Sequence, residues 1–305
     1  MMLWHMRKHH KPKIIFLCLF VLFIAAIART DRVFFKRNSS FSVRFLFSNL
    51  PNSPEWDLPE PTANELDQLD TALQQKFHYL GKGAHCYAFV SADEKYVIKF
   101  HRFASHMRIF SWVNHPFSYR LNERRKKIKE YNLKKLRYNW QNYKNSYLDL
   151  KDEAGLIFLH INKSHNLRRT VTLVDKTHAE YRIPLDEVTF ILQHKANLIY
   201  PTLDQLTAEK RIDEGKQIVS SIVQLIATCC QKGYVDEDPV LRKNYGLLGT
   251  RAIHIDIGDL IQEEGIGTRD SMIPHVKEMT ESLRKRLEST YPELLPHYYE
   301  EIAKL

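Results

Sequence analysis

The stretch GYVDEDPVLRKNYGLLGTRAIHIDIGDL, residues 233–260, decides how the chain is read. It places Asp236 and Asp238 on one turn and Asn244 shortly after. Asp256 closes a strand-like run, AIHID, and Gly258 follows two residues on. Polar residues on turns beside apolar strands ordinarily serve solubility or turn capping. Hard oxygen ligands converging from two loops can also hold a magnesium–phosphate complex. The flanking sequence separates these two readings.

Immediately upstream, IDEGKQIVSSIVQLIATCCQKG (212–233) repeats Ile218, Ile222, Leu225, Ile226 and Cys229 at three- and four-residue steps. This predicts a long half-buried helix with Gly233 as its stop. Further upstream, FHYLGKGAHCYAFVSADEKYVIKFHRF (77–103) predicts a hairpin around a glycine turn, then a third strand. Alternation of Tyr96, Ile98 and Phe100 leaves Val97 and Lys99 on the opposite face. Gly81 and Gly83 let backbone N–H groups approach phosphates, and Lys99 can reach the same phosphates as a point charge. YLDLKDEAGLIFLHIN (147–162) reads as an amphipathic helix with Glu153 in its interior. RRTVTLVDKTHAEYRIP and EVTFILQHKA read as two strands with a turn near 184–187. The tail from Ser271 reads as two helices divided near Pro292 and Pro296.

The 305 residues suffice for two lobes around a shared core. Four cysteines, Cys18, Cys86, Cys229 and Cys230, have no metal-knuckle or disulfide spacing. The net charge of +9 is concentrated in two places. Residues 1–37 hold eight Lys/Arg against one Asp, and residues 120–144 hold ten against two Glu, which leaves the remainder mildly acidic. Residues 14–28, IIFLCLFVLFIAAIA, are apolar without a break, with lysines before and arginines after. They read as a retained single-pass membrane anchor, with export by a cleaved signal peptide as the alternative. The basic, Tyr- and Trp-bearing segment 119–147 reads chiefly as a solvated helical insertion. Among functional partners for it, an anionic membrane surface ranks first and a nucleic acid is unfavoured. Residues 31–68, rich in proline, read as a linker up to a capping box at Thr62 and Glu65 that starts a helix to about Gln75.

In order, these parts are a glycine hairpin, a strand lysine, a helix glutamate, two strands, a hinge, a long apolar helix, an Asp/Asn loop and an Asp-x-Gly. That order, over about residues 69–260, resembles the protein-kinase-like fold. LGKGAHCYAFV looks like its glycine-rich loop, with Cys86 at the third glycine. VIKF looks like its lysine strand, GYVDEDPVLRKN is similar to its catalytic loop, and DIG matches its metal-binding Asp-x-Gly. The resemblance implies an α+β, bilobal molecule with a small antiparallel β-sheet N-lobe and a mostly helical, reduced C-lobe behind an N-terminal transmembrane helix. Its divisions are a basic head and apolar segment at 1–30, the linker at 31–68, the N-lobe at 69–200 with the insertion at 104–147, and the C-lobe at 201–305.

It further implies ATP as phosphoryl donor with Mg2+, and a hydroxyl-bearing acceptor on a lipid, a lipid-linked sugar or a protein. Gly81, Gly83 and Lys99 would contact the nucleotide. Asn244 and Asp256 would hold metal, and Asp238 would orient the acceptor, with Asp236 the rival for that role. Glu153 would pair with Lys99, with Glu123 and Glu130 as rivals. An Asp-Glu pair stands where His-Arg is usual, and no Ala-Pro-Glu follows the Asp-x-Gly. With only 47 residues after Gly258, the pattern is more similar to compact small-molecule and lipid-sugar kinases, such as lipopolysaccharide core kinases and aminoglycoside phosphotransferases. An inactive, membrane-tethered member of the fold is the alternative.

Overall fold

The structure, a computed structural model, describes residues 38–103 and 119–305, with positions 16, 19–24, 29 and 35. Helix α1 (Ala63–Leu73) precedes strands β1 (Phe77–Lys82), β2 (Cys86–Ser91) and β3 (Tyr96–His101). Helix α2 (Tyr119–Asp149) leads to β4 (Leu156–His160), β5 (Thr170–Val174), β6 (Glu180–Pro184), β7 (Phe190–His194) and β8 (Asn197–Leu198). Then come α3 (Ile199–Ala208), α4 (Ile212–Gln231), β9 (Tyr234–Asp236), α5 (Leu241–Asn244), β10 (Tyr245–Leu248), β11 (Arg251–His254) and β12 (Leu260–Gln262). Helices α6 (Arg269–Met279), α7 (Glu281–Thr290) and α8 (Leu295–Lys304) end the chain.

The architecture is α+β. A seven-stranded sheet runs in the order β4-β7-β3-β2-β1-β5-β6, antiparallel except where β1 meets β5. Alternation on β2 and β3 sends Tyr87, Phe89, Ile98 and Phe100 into one core, which Phe77, Phe158 and Phe190 complete. Val97 and Lys99 take the other face, as period-two spacing requires. A second core surrounds α4, whose Ile218, Val219, Ile222, Ile226 and Cys230 are all buried. Gly233 ends this segment at φ +83°, its N–H bonded to the Cys230 carbonyl at 2.8 Å, the left-handed stop that favours glycine.

Several expectations need correction. The stretch 147–162 is not one helix. Helix α2 ends at Asp149, and Leu156–His160 is a strand buried along its whole length. An all-apolar run cannot be told from a buried helix by period alone. RRTVTLVDKTHAEYRIP is a hairpin, β5–β6, not one strand. Asp175 turns it by accepting the N–H groups of Thr177 and Ala179, at 2.8 and 3.0 Å. The tail holds three helices, because the helix breaks at Thr280, the cap shared by α6 and α7, while Pro274 lies within α6. The basic segment keeps most of its charged residues exposed, as expected, but it is not solvated throughout, because Leu136, Trp140, Tyr143 and Tyr147 of α2 are buried in the α4 core. Residues 104–118 of that expected insertion lie outside the described residues. Nor is 38–61 a free linker, for Phe41, Phe45, Leu46 and Trp56 are buried.

No helix among the described residues is long and apolar enough to cross a membrane. Most of the expected span 14–28, and the head before it, lie outside the described residues. Positions 16 and 19–24 are helical and expose their side chains.

Candidate functional site

The opening stretch folds back on itself. Strand β9 pairs with β12, setting Asp236 opposite Leu260, so both ends of the stretch are tied together. Between them, β10 and β11 form a hairpin that turns at Gly249, φ +64°. An antiparallel hairpin brings the residue before its first strand beside the residue after its second. Asn244 and Ile255 are that pair. The Asn244 carbonyl accepts the N–H groups of Ile255 at 2.7 Å and Asp256 at 3.3 Å. The hairpin therefore places the carboxamide and the Asp-x-Gly carboxylate together.

Asn244 donates its side-chain NH2 to Asp238, at 2.7 Å to the carbonyl and 3.1 Å to Oδ2. That leaves its Oδ1 without a hydrogen-bond partner among the described residues. Asp256 is exposed, and one carboxylate oxygen accepts the Gly258 N–H at 3.1 Å. The Asp-x-Gly turn is held to α2 by Asn142, which donates to the Gly258 carbonyl at 2.6 Å. Lys99 donates to the carbonyl of Ile255, next to Asp256. Burial lowers its pKa, and the charge of Asp256 offsets part of that. Lys99, Asn244 and Asp256 are thus brought together.

Glu153 is not with them. It pairs with Lys232 at 2.7 Å, and its carbonyl accepts the His254 N–H at 2.8 Å. The turn after α2 aims it at the end of α4 rather than at β3. No carboxylate lies within ion-pair distance of Lys99 among the described residues, the rivals Glu123 and Glu130 included. The middle of α2 presents Asn142 and Tyr143 to this region. Tyr143 lies with its hydroxyl 3.4 Å from the Cys86 sulfur. Burial pushes the Cys86 thiol up to about 11, so the residue at the third glycine position is an inert packing thiol.

Gly81 and Gly83 flank the turn, where the Gly83 N–H donates to the Cys86 carbonyl at 2.9 Å. A Cβ at either glycine would meet nothing within 4 Å, so packing does not explain the choice of glycine there.

Under the hairpin lies a cavity of about 440 Å³, in the size range of small-molecule sites. Leu80 and Ala88 roof it, Val97 and Lys99 form one wall, and Ile253 and Ile255 form its floor. Residues 194–198, which join the sheet to the helical part, close its back. Gln193 lines it too. That side chain is buried, donates to the Ala154 carbonyl at 2.9 Å, and leaves Oε1 with no partner. Sequence reasoning missed this lining. The available cue was a glutamine inside the otherwise apolar strand FILQH. A larger groove, about 500 Å³, lies between residues 56–61 and β4, lined by none of these groups.

The two aspartates of the loop before α5 differ sharply. Asp238 is exposed beside Asn244. Asp236 is buried, accepts the Asp238 N–H at 2.9 Å, and has Oδ2 3.9 Å from His254 Nδ1. Burial, with the charges of Asp259 and Asp238, raises Asp236 to about 6. Burial also holds His254 down at about 3, so that imidazole is neutral. Among the described residues no group of three or more His, Cys, Asp or Glu side chains is arranged to hold a metal ion. Asn244 Oδ1 and the Asp256 carboxylate are hard oxygens of the kind magnesium takes from protein when phosphates supply others.

No family model matches the chain, and no curated protein matches it in sequence. Among solved structures it is similar to a crystal structure of WbdD, with 17% identity and a TM-score of 0.35 over 75% of this chain and 46% of that one. A second WbdD structure, described as a bifunctional kinase-methyltransferase, gives 16% identity and a TM-score of 0.32 over 72% of this chain and 43% of that one. The chain spans under half the length of either.

Proposed function

We propose that the chain is a phosphotransferase of the protein-kinase-like superfamily that moves a phosphoryl group from ATP to a hydroxyl of a lipid, sugar or protein. The observation that carries this reading is that Lys99, which lines the cavity beneath the hairpin, donates to the Ile255 carbonyl next to Asp256, whose own N–H is bonded to Asn244. Phosphoryl transfer asks chiefly for positioning and charge neutralisation, and these residue types supply both. The orphaned Oε1 of Gln193 suits a ligand that brings an N–H donor, such as the amino group of adenine. Lys99 would exchange the Ile255 carbonyl for phosphate oxygens. Asn244 Oδ1 and Asp256 would hold magnesium, which offsets phosphate charge when bound. Asp238 is the acceptor-orienting carboxylate in this reading, because it is exposed and fixed by Asn244. Asp236 is assigned to holding the loop.

One observation favours a second reading, a catalytically inactive module that binds nucleotide. Lys99 has no carboxylate partner to steer it among the described residues. In both readings the proposal includes a membrane tether at residues 14–28, with the basic face of α2 turned to anionic lipid. Thermal unfolding followed with and without Mg-ATP tests the common part, and release of γ-phosphate to an acceptor divides the two. A stabilising shift with transfer supports the enzyme, and a shift without transfer supports the binding module. An unshifted wild-type melt rejects both.

A further inference from the structure

Between the glycine turn, the end of β3 and the middle of α2 lies a second pocket, of about 220 Å³. It shares no lining residue with the larger cavity beneath the hairpin. Its walls carry His85, Arg102, Asn132, Lys135 and Asn139, and no carboxylate among the described residues. Arg102 donates to the Ala84 carbonyl at 3.1 Å, which fixes the guanidinium without neutralising it. Lys135 is exposed at the rim. Neither cation has an ion-pair partner among the described residues. Their field is felt by His85, whose pKa is lowered first by burial and then by the charge of Lys135, with Asp256 opposing and Arg102 adding to the lowering. Asn139 is 2% exposed, and its Nδ2 has no hydrogen-bond partner. Buried amide donors are almost always paired, so an orphan in a cationic pocket calls for an acceptor from outside. Two cations without an ion-pair partner among the described residues and a buried donor, one cation following β3 and the other two groups on α2, match an oxyanion that accepts hydrogen bonds on several sides.

We propose that this pocket binds a phosphate group, apart from any phosphate that Lys99 contacts. The inference does not rest on the phosphotransferase reading and can stand if that reading fails. Inorganic phosphate and glucose 6-phosphate are titrated calorimetrically into the full chain at fixed ionic strength. Wild type and Lys99→Ala should bind, and saturating Mg-AMP-PNP should not displace the ligand. Lys135→Glu reverses one exposed charge, and Asn139→Asp swaps the orphan donor for an acceptor of equal size. Each should weaken binding roughly tenfold or more, with its melting curve confirming a folded chain. Tighter binding of glucose 6-phosphate identifies an organic phosphate as the source, and equal binding identifies the free ion. Absence of binding to wild type overturns the proposal. So does unchanged affinity in Lys135→Glu, loss in Lys99→Ala, or displacement by the nucleotide analogue.

Discussion

At the scale of single residues, the loop aspartates divide their work by burial. Asp236 sits in the fold at about 6, above its unfolded value of 3.8. The folded chain therefore holds an extra proton between about pH 4 and 6, and that stabilisation is lost as pH rises through 6. His254 acts in the opposite sense. Its folded pKa lies below 6.5, so its contribution is present above 6.5 and is lost as pH falls toward 3. Comparing Asp236→Asn with wild type at each pH cancels the histidine. The variant should gain on wild type by about 2 kcal/mol between pH 4 and 7.5 in denaturant unfolding. An equal difference at both pH values rejects the assignment. Asp256→Ala tests the other carboxylate. On the proposed chemistry it should lower phosphoryl transfer roughly a hundredfold or more and remove the magnesium dependence of nucleotide binding. Retained transfer would show that Asp256 holds no metal.

At the scale of elements, two junctions set the geometry. Helix α1 begins with a capping box in which Thr62 N–H donates to Glu65 at 2.6 Å and Glu65 N–H donates to the Thr62 hydroxyl at 3.3 Å. The same Glu65 carboxylate pairs with Lys151 and accepts the Tyr147 hydroxyl at 2.6 Å. One buried side chain thus starts α1 and fastens it to the end of α2. Burial alone would raise its pKa, but Lys151, Tyr147 and Thr62 together hold it at about 2. Glu65→Ala should cost about 3 kcal/mol at neutral pH, and the gap from wild type should close as pH falls from 4.5 toward 2. The second junction is β8–β10, where Gly246 pairs with Leu198. A Cβ at Gly246 would stand 2.6 Å from the Ala196 Cβ and 3.0 Å from the Asn197 carbonyl. Gly246→Ala should push the connecting segment 194–198 outward, weakening Mg-ATP binding more than it lowers the melting temperature. Unaltered affinity in a folded variant would separate that segment from the nucleotide.

At the scale of the whole molecule, the proline-bearing segment before α1 belongs to both cores. Phe41 meets Tyr79, Tyr87, Phe89 and Tyr181 with ring centroids 5.1 to 6.0 Å apart. Trp56 packs edge-on to Trp140 at 5.5 Å. Phe41→Ala should cost about 3–5 kcal/mol, and a chain starting at residue 62 should lose cooperative unfolding. Limited proteolysis checks the same point, because bonds between 41 and 56 should resist cleavage in the native chain.

Local patterns carried much of this. Alternation put Lys99 opposite Ile98 and Phe100, three- and four-residue steps marked α4, and Thr62 with Glu65 marked the start of α1. That Asn244 and Asp256 meet follows from the resemblance alone; the hairpin that brings them together shows in the structure. Other features depend on partners far along the chain. Glu153 finds Lys232 rather than Lys99, β5 adds to β1 in parallel, and a helix rich in lysine and arginine turns its Leu136–Tyr143 face into the core. Period and propensity describe a residue's own element. Which element lies against it follows from how two hydrophobic faces bury each other, and no single stretch of sequence contains that choice.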